Sequence, residues 1–512
     1  MIAKVYSSAL AGLKARPVEV EVDLSIGLHI FQIVGLPDAA VNESKDRVSS
    51  AIKNSGVEPP QKSRKRIIVN LAPADLKKQG PSYDLPIAVA FLSAAGHLHI
   101  DNPEDKLFVG ELSLEGNLRP VNGILSIAIM AKKEKFHTLF VPYGNANEAA
   151  LINGLEIIPV KSLKQLIDHF RKNQLINPSP VTKIKDFSQE QDILSDMAYV
   201  NGQEQAKRAL EIAAAGAHNV FMSGPPGSGK TLLARSFASI LPSLNLDEAL
   251  EVTQIFSISG KLPNNQPLFT RRPFRAPHHT ASTIALIGGG PYPKPGEITL
   301  AHRGVLFLDE LPEFTRSFLE SLRQPLEDGV VAVSRASGSY IFPAKFILIG
   351  AMNPCPCGKA GDPEQNCSCS PSQISKYQRK ISGPLLDRID LRIEVPRLAY
   401  NKLSNEKVAE SSSSIRNRVE NARQIQKKRF AKERNIFTNS EMSVQQIRQF
   451  CKIDSQSQDL LKTAVNQMRL SARSYYRLLK LARTIADLSS IENIKPSHIA
   501  EALQYRPKAE EY

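Results

Sequence analysis

The amino-acid sequence predicts a multidomain α/β protein made of an N-terminal α/β domain, a central parallel sheet around a phosphate-binding loop, and a helical C-terminal domain. Three observations support this prediction. Strand-like and helical runs are mixed up to about residue 170, strands and helices alternate from about 199 to 396, and strand signals vanish beyond 396. A chain of 512 residues has room for two to four such domains.

The N-terminal domain, residues 1–170, contains both kinds of periodicity. Alternating runs at 18–22, 67–71 and 138–141 predict strands, and apolar stretches at 85–96 and 124–135 predict helices. Residues 171–198 are polar and include NPSPVTK, which predicts a linker before the central domain at 199–396.

The C-terminal domain, residues 397–512, is predicted to be helical from the periodic stretches 408–429 and 475–488. It also carries most of the basic excess. The whole chain has 65 Lys and Arg against 51 Asp and Glu, a net charge of +14, and residues 401–512 have 21 against 12, which leaves +9. A local excess of this size fits a nucleic-acid partner, and it equally fits a solvated, solubilising face.

Composition excludes several classes of protein. No apolar run approaches 18 residues, so no transmembrane helix is predicted, and the first 20 residues lack the pattern of a signal peptide. Four of the five cysteines lie between 355 and 369, unlike a secreted disulfide framework. We therefore expect a cytoplasmic protein without a membrane partner.

The sequence GPPGSGKT at 224–231 fits the phosphate-binding pattern G-x-x-x-x-G-K-[ST], with an apolar strand predicted before it and a helix after it. Lys230 is expected to reach the β and γ phosphates of ATP, and the Thr231 hydroxyl to bind Mg²⁺. The backbone of the preceding loop residues is expected to wrap the phosphates at the helix N-terminus. These residues are Gly224, Pro225, Pro226, Gly227, Ser228 and Gly229.

A second strand, predicted at 305–308 within GVLFLDELPEF, ends at Asp309 and Glu310, about 80 residues after the loop. Ligands of open α/β sheets bind at the carboxyl ends of the strands. Asp309 is therefore expected to hold Mg²⁺ through water, and Glu310 to polarise the water that attacks the γ-phosphate. Together the loop and the acidic pair predict an ATPase whose cofactors are ATP and Mg²⁺.

Five longer stretches resemble the magnesium-chelatase-like AAA+ ATPases of the ComM/YifB type. They are PFRAPHHTAS at 273–282, GEITLAHRGVLFLDELPEF at 296–314, GAMNPCPCG at 350–358, SGPLLDRIDL at 382–391 and LSARSYYRLLKLARTIADL at 470–488. The resemblance runs from end to end of the chain. It implies an AAA+ core at 199–396 followed by a helical lid domain at 397–512.

The resemblance also implies roles for three polar residues. Asn353 matches sensor 1, which orients the water near the γ-phosphate, and Arg473 matches sensor 2. Arg388 matches the arginine finger, which neutralises transition-state charge on the ATP of a neighbouring subunit. Without the resemblance, each arginine fits a surface salt bridge. A finger that acts across a subunit boundary requires a ring, so a homo-hexamer is expected.

Two further segments near the nucleotide resemble family motifs. Gln203, in VNGQ at 200–203, matches the segment that packs near the adenine base, although such a turn also simply opens a helix. His278 and His279 are adjacent, so their side chains are expected to point apart on a strand or a helix. This favours a structural or nucleotide-coupling role for the pair over a metal site.

The insert at 288–297 and a hairpin predicted at 330–342 fall where this clade carries insertions that line the pore of the ring. Lys294, Arg335 and Tyr340 are therefore candidates for DNA contact. They also fit exposed loop residues without a ligand.

The four clustered cysteines form a C-x-C…C-x-C pattern, with Cys355 and Cys357 separated from Cys367 and Cys369 by nine residues. Four thiolates can close a tetrahedral, structural zinc site, but the spacing departs from the usual C-x₂₋₄-C. Four reduced thiols in a surface loop are the alternative. Cys451 stands apart and is expected in a core.

Residues 1–170 resemble the ribosomal-protein-S5-like domain shared with Lon protease. GPS at 80–82 places Ser82 at the position of the Lon nucleophile, and VGELSLEGNLRPVNGIL at 109–125 places Leu125 at that of the catalytic lysine. Leucine cannot activate a serine, so no protease pair is expected. The domain is expected to act as a scaffold or a DNA-binding collar, and KSRKR at 62–66 fits either DNA contact or a solvated loop.

The resemblance, the ring and the basic C-terminal domain together predict a hexameric ATP-driven motor on single-stranded or branched DNA, a helicase or branch-migration translocase. Proteins of the ComM type act in DNA uptake and recombination, so recombination proteins are candidate partners. A chelatase-type or chaperone-like ATPase that remodels a protein complex is the alternative. An ATP-dependent protease is opposed by Leu125.

Overall fold

The structure, a computed structural model, describes residues 2–62, 65–182, 195–263, 266–290, 293–335, 338–361, 365–397, 409–433, 436–468 and 470–506. Several predicted features lie partly outside the described residues: the linker, KSRKR, the insert at 288–297, the hairpin at 330–342 and the first C-terminal helix. The side chain of Arg335 is also outside them. Among the described helices, none has the length and apolar character needed to span a bilayer.

The described strands are β1 (Ile2–Ala11), β2 (Lys14–Ile26), β3 (Ile30–Val34), β4 (Lys65–Ala72), β5 (Lys106–Phe108), β6 (Glu111–Leu112), β7 (Leu118–Arg119), β8 (Thr138–Pro142), β9 (Glu156–Val160), β10 (Val220–Ser223), β11 (Phe274–Arg275), β12 (Gly288–Gly289), β13 (Lys294–Pro295), β14 (Val305–Leu308), β15 (Val330–Arg335), β16 (Gly338–Pro343), β17 (Ile347–Met352) and β18 (Leu391–Glu394).

The described helices are α1 (Ala39–Asn42), α2 (Ser44–Asn54), α3 (Asp84–Ala94), α4 (Ile124–Lys133), α5 (Ala146–Ala149), α6 (Leu163–Phe170), α7 (Glu204–Gly216), α8 (Lys230–Ile240), α9 (Leu246–Ile258), α10 (Thr283–Ile287), α11 (Glu297–Leu300), α12 (Arg316–Ser321), α13 (Arg323–Asp328), α14 (Pro371–Gln378), α15 (Gly383–Leu386), α16 (Ser412–Arg429), α17 (Val444–Phe450), α18 (Ser455–Gln467), α19 (Ala472–Leu488) and α20 (Pro496–Gln504).

The chain divides into two compact units. The first unit contains residues 1–189 and 246–270, and the second contains 190–245 and 271–512. The segment 246–270 therefore belongs to the first unit, although the residues on both sides of it in sequence belong to the second. No sequence pattern signals this excursion.

The first unit is built on a seven-stranded mixed sheet of order β3-β4-β2-β1-β5-β8-β9. The predicted strands are confirmed in β2, β4 and β8, and the predicted helices in α3 and α4. α3 is apolar on nearly all sides because it is buried almost throughout. Its first residue, Asp84, forms a two-pronged ion pair with Arg47 at 2.7 and 3.0 Å, which ties α3 to α2.

Helix α9 is anchored in the first unit by polar contacts. The Ser257 hydroxyl donates to the buried carboxylate of Glu148 at 2.5 Å, and the Gln254 amide donates to the Leu13 carbonyl at 2.7 Å. Burial raises the pKa of Glu148 to about 7. These bonds explain why 246–270 belongs to this unit although it follows the phosphate-binding loop in sequence.

The second unit contains a five-stranded sheet of order β11-β14-β17-β10-β18, in which every pair is parallel. All residues of β14 and β17 are buried, which explains their uninterrupted apolar runs. The alternation of strands and helices predicted for this region is confirmed. Because the strands are parallel, β10, β14 and β17 bring their carboxyl ends to one edge.

Described residues beyond 396 contain helices and no strand, as predicted. α19 includes the predicted stretch 475–488 and starts three residues earlier, at Ala472, where the Ser471 hydroxyl accepts the Ser474 amide. α16 and α19 both pack on α7. A buried cluster in which Arg429 and Arg483 share the Asp487 carboxylate holds these helices together.

Candidate active site

The phosphate-binding loop connects β10 to α8, which is the strand–loop–helix context predicted for it. Gly227 and Gly229 have φ of 76° and 93°, in the left-handed region that favours glycine. A Cβ on Gly224 would lie 2.2 Å from the carbonyl oxygen of Val395, just after β18, so only glycine fits there. Backbone geometry thus accounts for all three glycines.

Lys230 opens α8 and turns its ammonium group into the loop. The side chain is 8% exposed, and Nζ donates to the carbonyls of Gly224 at 2.7 Å and Pro225 at 2.9 Å and to Asn353 Oδ1 at 3.2 Å. Burial lowers the pKa of Lys230, and the nearby Asp309 and Glu310 oppose that shift. The ammonium therefore lies among neutral acceptors that a phosphate oxygen can replace.

Thr231 and Asp309 meet although they come from different elements. The Thr231 hydroxyl donates to Asp309 Oδ2 at 2.8 Å. Hydroxyl and carboxylate oxygens are the ligands that Mg²⁺ accepts beside phosphates, so this pair fits a magnesium ion. The structure places the two residues side by side at the carboxyl ends of β10 and β14.

Glu310 has φ of 50°, a left-handed conformation unusual for a residue with a side chain. Its amide donates to Asp309 Oδ1 at 2.9 Å, which stabilises the turn. Its carboxylate is 54% exposed and lies 3.5 Å from His279 Nδ1. The turn therefore presents the carboxylate to the solvent side of the loop, where an attacking water can be bound.

The expectation that His278 and His279 point apart is wrong. Their ring centroids are 4.1 Å apart, and His278 Nδ1 lies 2.8 Å from the Thr280 hydroxyl. The reason is local: the pair follows β11 in a turn, so the alternation of a strand does not apply. His279 faces Glu310, which places the pair beside the acidic turn.

Asn353 directly follows β17, between β10 and β14 in the sheet, and contacts Lys230. Gln203 precedes α7 with φ of 56°, and its amide donates to the Pro396 carbonyl at 2.7 Å and to the Ser228 carbonyl at 3.5 Å. The structure thus brings Asn353 to the ammonium of the loop and Gln203 to the backbone of the loop.

Arg388 lies at the opposite edge of the same sheet, where the parallel strands begin. It precedes β18, and its carbonyl accepts the side-chain amide of Asn219, the residue before β10, at 3.2 Å. The loop follows the carboxyl end of β10, and a four-residue strand spans about 13 Å. The structure therefore does not bring Arg388 to the phosphate-binding loop of its own chain.

Arg473 lies with Arg388 rather than with the loop. Both pair with the carboxylate of Glu327, on α13, with Arg388 at 2.6 Å through Oε2 and Arg473 through Oε1. The Arg388 side chain is 8% exposed and also donates to the Pro384 carbonyl at 2.5 Å. Sequence reasoning missed Glu327, because no motif marks it.

Asp390, two residues after Arg388, was also missed. It is buried and accepts from Arg477, on α19, at 2.9 Å and from the Asn219 amide at 3.2 Å, with His218 at 3.4 Å. Burial raises its pKa, but Arg477 and His218 prevail and hold it well below the usual range. Asp390 therefore ties the segment that carries Arg388 to the C-terminal helices.

The four clustered cysteines come together. Their sulfur atoms all lie within 4.8 Å of one another, with Cys355 at 3.3 Å from Cys357 and 3.6 Å from Cys367. The pKa of Cys357 is lowered to about 6. The largest cause is a hydrogen bond from the Lys359 backbone, and the next is a hydrogen bond from the Cys355 thiol. The cluster is compatible with a metal ion, while Cys451 is buried elsewhere, as expected.

In the first unit, Leu125 is fully buried, and its backbone amide donates to Glu148 at 3.0 Å. Ser82 is half-buried, and its carbonyl accepts the Gly110 amide at 3.0 Å. Neither contact activates the Ser82 hydroxyl.

Comparison with known proteins gives matches along most of the chain. Family models described as magnesium chelatase, subunit ChlI, match residues 196–403, 20–145 and, for the C-terminal part, 409–506. The competence protein ComM of Haemophilus influenzae is 43% identical over 510 residues, 99% of this chain and 97% of that protein. The Lon protease of Rhizobium meliloti is 28% identical over 135 residues, 25% of this chain and 16% of that protein.

The protein YifB of Escherichia coli is likewise 43% identical over 504 residues, 98% of this chain and 96% of that protein. Two relatives at this identity therefore align with almost the whole chain. The chain belongs to the ComM/YifB family of magnesium-chelatase-like proteins.

Proposed function

We propose that this protein is an ATP-hydrolysing AAA+ motor that assembles into a homo-hexameric ring and acts on single-stranded or branched DNA as a helicase or branch-migration translocase. The proposal rests on one observation, namely that the residues expected at the ATPase site form two separate groups within one chain. Groups suited to bind ATP converge at one edge of the parallel sheet, and the two arginines suited to stabilise hydrolysis lie together elsewhere.

At the ATP-binding edge, each side chain has a separate task. Lys230 exchanges its carbonyl partners for the β and γ phosphates, and Thr231 and Asp309 hold Mg²⁺, which neutralises phosphate charge when bound. Glu310 orients the attacking water, and Asn353 fixes that water and the γ-phosphate from the next strand.

Arg388 completes the site from a neighbouring subunit. Arg388 precedes the strand whose carboxyl end flanks the loop, so one chain cannot bring it to its own γ-phosphate without unfolding the sheet. A second copy can present the same edge to the loop of the first. In a closed ring of such head-to-tail contacts, every phosphate-binding loop faces an arginine from the next subunit. The ring that we propose is a hexamer.

The exposed charge of the C-terminal helices supports an electrostatic contact with DNA. Several arginines of this region already form ion pairs within the chain: Arg418 with Glu211 and Glu410, Arg429 and Arg483 with Asp487, and Arg477 with Asp390. Its lysines are mostly exposed. Among the described residues of this region, the exposed cations outside the ion pairs described above are Lys427, Lys428, Lys432, Arg448, Lys452, Lys462 and Lys495. The proposed contacts are these cations together with the exposed Lys294 of β13 and the half-exposed Tyr340 of β16.

The relative named a competence protein supports a place in DNA uptake and recombination, with recombination proteins as partners. The proposal also includes the domain organisation predicted from sequence. It assigns 1–170 to an S5-like, Lon-related scaffold, 171–198 to a linker, 199–396 to the AAA+ core, apart from the segment 246–270 that packs with the first unit, and 397–512 to the lid, in a protein of the cytoplasm.

The deciding experiment is ATP-dependent strand displacement on forked and four-way-junction DNA, together with the ATPase rate with and without DNA. We expect displacement by the unmodified protein, and DNA binding without displacement by Glu310→Gln. Affinity should fall steeply with salt and depend little on sequence, since phosphate contacts carry no base information.

A charge-reversal pair sharpens this test. Replacing Lys427 and Lys428 by Glu should weaken DNA binding and lower the log–log salt slope by about 2, roughly one per phosphate contact. The matched control is the same exchange at Lys132 and Lys133, an exposed lysine pair at the end of α4. An equal effect of both exchanges would show that the C-terminal lysines are not the DNA contact.

The alternative is a motor that remodels a protein complex, as in metal insertion. It is favoured by the description of all three matching families as magnesium chelatase. It predicts an assembled, active ATPase that DNA neither stimulates nor serves as substrate. Absence of both displacement and DNA stimulation would decide for it.

A further inference from the structure

The four-cysteine cluster lies against the ATP-binding edge. Asn353, Pro354 and Cys355 are consecutive, so the sensor position and the first cysteine share one short segment. Asn353 contacts Lys230 at 3.2 Å. Only two peptide units therefore separate the first cysteine from a residue that touches the ammonium of the loop.

A second contact links the cluster to the loop directly. Gly358, the residue after Cys357, has φ of 80°, and a Cβ built on it would lie 2.5 Å from Pro226 Cδ and 3.9 Å from Asn353 Cγ. The turn that follows the first cysteine pair therefore packs against the phosphate-binding loop with no space to spare.

A third observation concerns the surroundings of Glu310. One cavity of about 740 Å³ is lined both by Glu310 and Asn353 and by Cys357 and Cys369. Lys380, which also lines it, pairs with Glu313, on the turn after Glu310, at 3.1 Å. Gln378 donates to the Pro354 carbonyl at 3.2 Å. The segment after the second cysteine pair thus also contacts the catalytic turn and the sensor segment.

The sulfur geometry fits a tetrahedral metal. For Zn–S bonds of about 2.3 Å, the sulfurs of a tetrahedron lie about 3.8 Å apart. The sulfurs of Cys355, Cys357 and Cys367 are 3.3, 3.5 and 3.6 Å apart, which is close to that value and far from a disulfide bond. The Cys369 sulfur lies within 4.8 Å of the other three. Backbone amides donate to two of the sulfurs, Ala360 to Cys355 at 3.3 Å and Cys369 to Cys367 at 3.4 Å, as thiolate ligands require.

We propose that Cys355, Cys357, Cys367 and Cys369 bind one Zn²⁺ and that this metal is a positioning element of the ATPase site, holding Asn353 and the loop residue Pro226 in place. Four thiols lose their protons on binding, and the resulting site carries a net charge of −2. Lys376 and Lys380, which line the same cavity, offset that charge. The coupling to turnover rests on the proposed ATPase function, whereas the metal site does not.

The metal itself is tested without activity. Protein purified under reducing conditions should contain about one zinc per chain, and exchange with Co²⁺ should give the absorption bands of tetrahedral cobalt–thiolate. Cys357→Ser with Cys369→Ser should abolish both signals. Cys451→Ser, which removes the one cysteine outside the cluster, is the control and should leave them unchanged. Zinc near zero in the unmodified protein would overturn the proposal.

The coupling is tested on the unmodified protein after removal of zinc by a chelator and after its return. Removal should lower turnover about 10-fold or more, a typical effect of losing the support of a catalytic group, and affect the affinity for a fluorescent ATP analogue less. Returned zinc should restore turnover, which separates positioning from unfolding. Unchanged turnover of metal-free protein would overturn the coupling.

A double-mutant cycle identifies the route. If the metal acts through Asn353, removing zinc from the Asn353→Ala variant should lower its turnover little further. If zinc and Asn353 act independently, the two reductions in turnover should multiply. Multiplied effects would assign the coupling to Pro226 alone and overturn the role of Asn353. If the protein hydrolyses no ATP in any form, the ATPase proposal fails, while zinc content and the cobalt spectrum still decide the metal site.

Discussion

The two edges of the parallel sheet in the second unit differ in how complete they are within one chain. At the carboxyl edge, Lys230, Asn353, Thr231 and Asp309 already touch one another in pairs at 3.2 and 2.8 Å. At the other edge, Arg388 and Arg473 share the carboxylate of Glu327, away from the phosphate-binding loop. One chain therefore already assembles the groups proposed to bind the nucleotide, whereas the two arginines proposed to stabilise hydrolysis lie together away from those groups.

The largest effect is expected at the arginine edge. In assembled protein, Arg388→Ala should lower turnover about 1,000-fold or more, because an arginine finger neutralises transition-state charge, while binding of ATP to the altered subunit persists. Arg16→Ala, which removes an exposed arginine of β2 that belongs to no proposed site, is the control. Because Arg388 is largely buried, thermal melting must show that the variant is folded.

Mixing tests whether the finger acts between subunits. Arg388→Ala and Glu310→Gln should each be nearly inactive alone, but their mixture contains boundaries where an intact arginine faces an intact glutamate. Part of the ATPase activity should therefore return. An ATPase rate per chain that does not depend on protein concentration, with no recovery on mixing, would contradict a site built from two subunits.

Substitutions at the carboxyl edge should have the next largest effects. One is expected to reduce ATP binding and the other to reduce turnover. Lys230→Ala should abolish tight ATP binding, because the ammonium is the cation of the loop. Glu310→Gln should keep binding and lose turnover about 100- to 1,000-fold, as expected when one preorganised catalytic group is removed. Equilibrium binding of a fluorescent ATP analogue and steady-state phosphate release measure the two separately.

Glu320→Gln is the control for this pair of variants, since Glu320 lies on α12 and pairs with Arg323. Normal turnover by Glu310→Gln would remove Glu310 from the chemistry. Equal loss of binding in both variants would show that the acidic turn stabilises the loop and does not act on water.

Sequence motifs predicted the carboxyl edge better than the arginine edge for a physical reason. The loop, Asp309 and Glu310 each follow a buried strand, so local periodicity and the rule that parallel strands end together place them. Glu327 reaches Arg473 across 146 positions of sequence, and the partners of Asp390 come from the start of β10 and from α19, so no local pattern encodes them. The error on His278 and His279 arose because regular alternation was applied to a turn.

The smallest effect tests whether Glu327 prepares the arginine edge. Glu327→Gln removes the charge that both guanidinium groups share and should lower turnover about 10-fold, the worth of one hydrogen bond to a charged group. The affinity of each subunit for ATP should stay the same, because Glu327 is paired with the arginines and not with the loop. Asp328→Asn, a change to the exposed neighbour on the same helix, is the matched control and should leave turnover unchanged. Faster turnover in Glu327→Gln would show that the carboxylate restrains the arginines, and a loss of ATP affinity would show that the two edges are not separate sites within one chain.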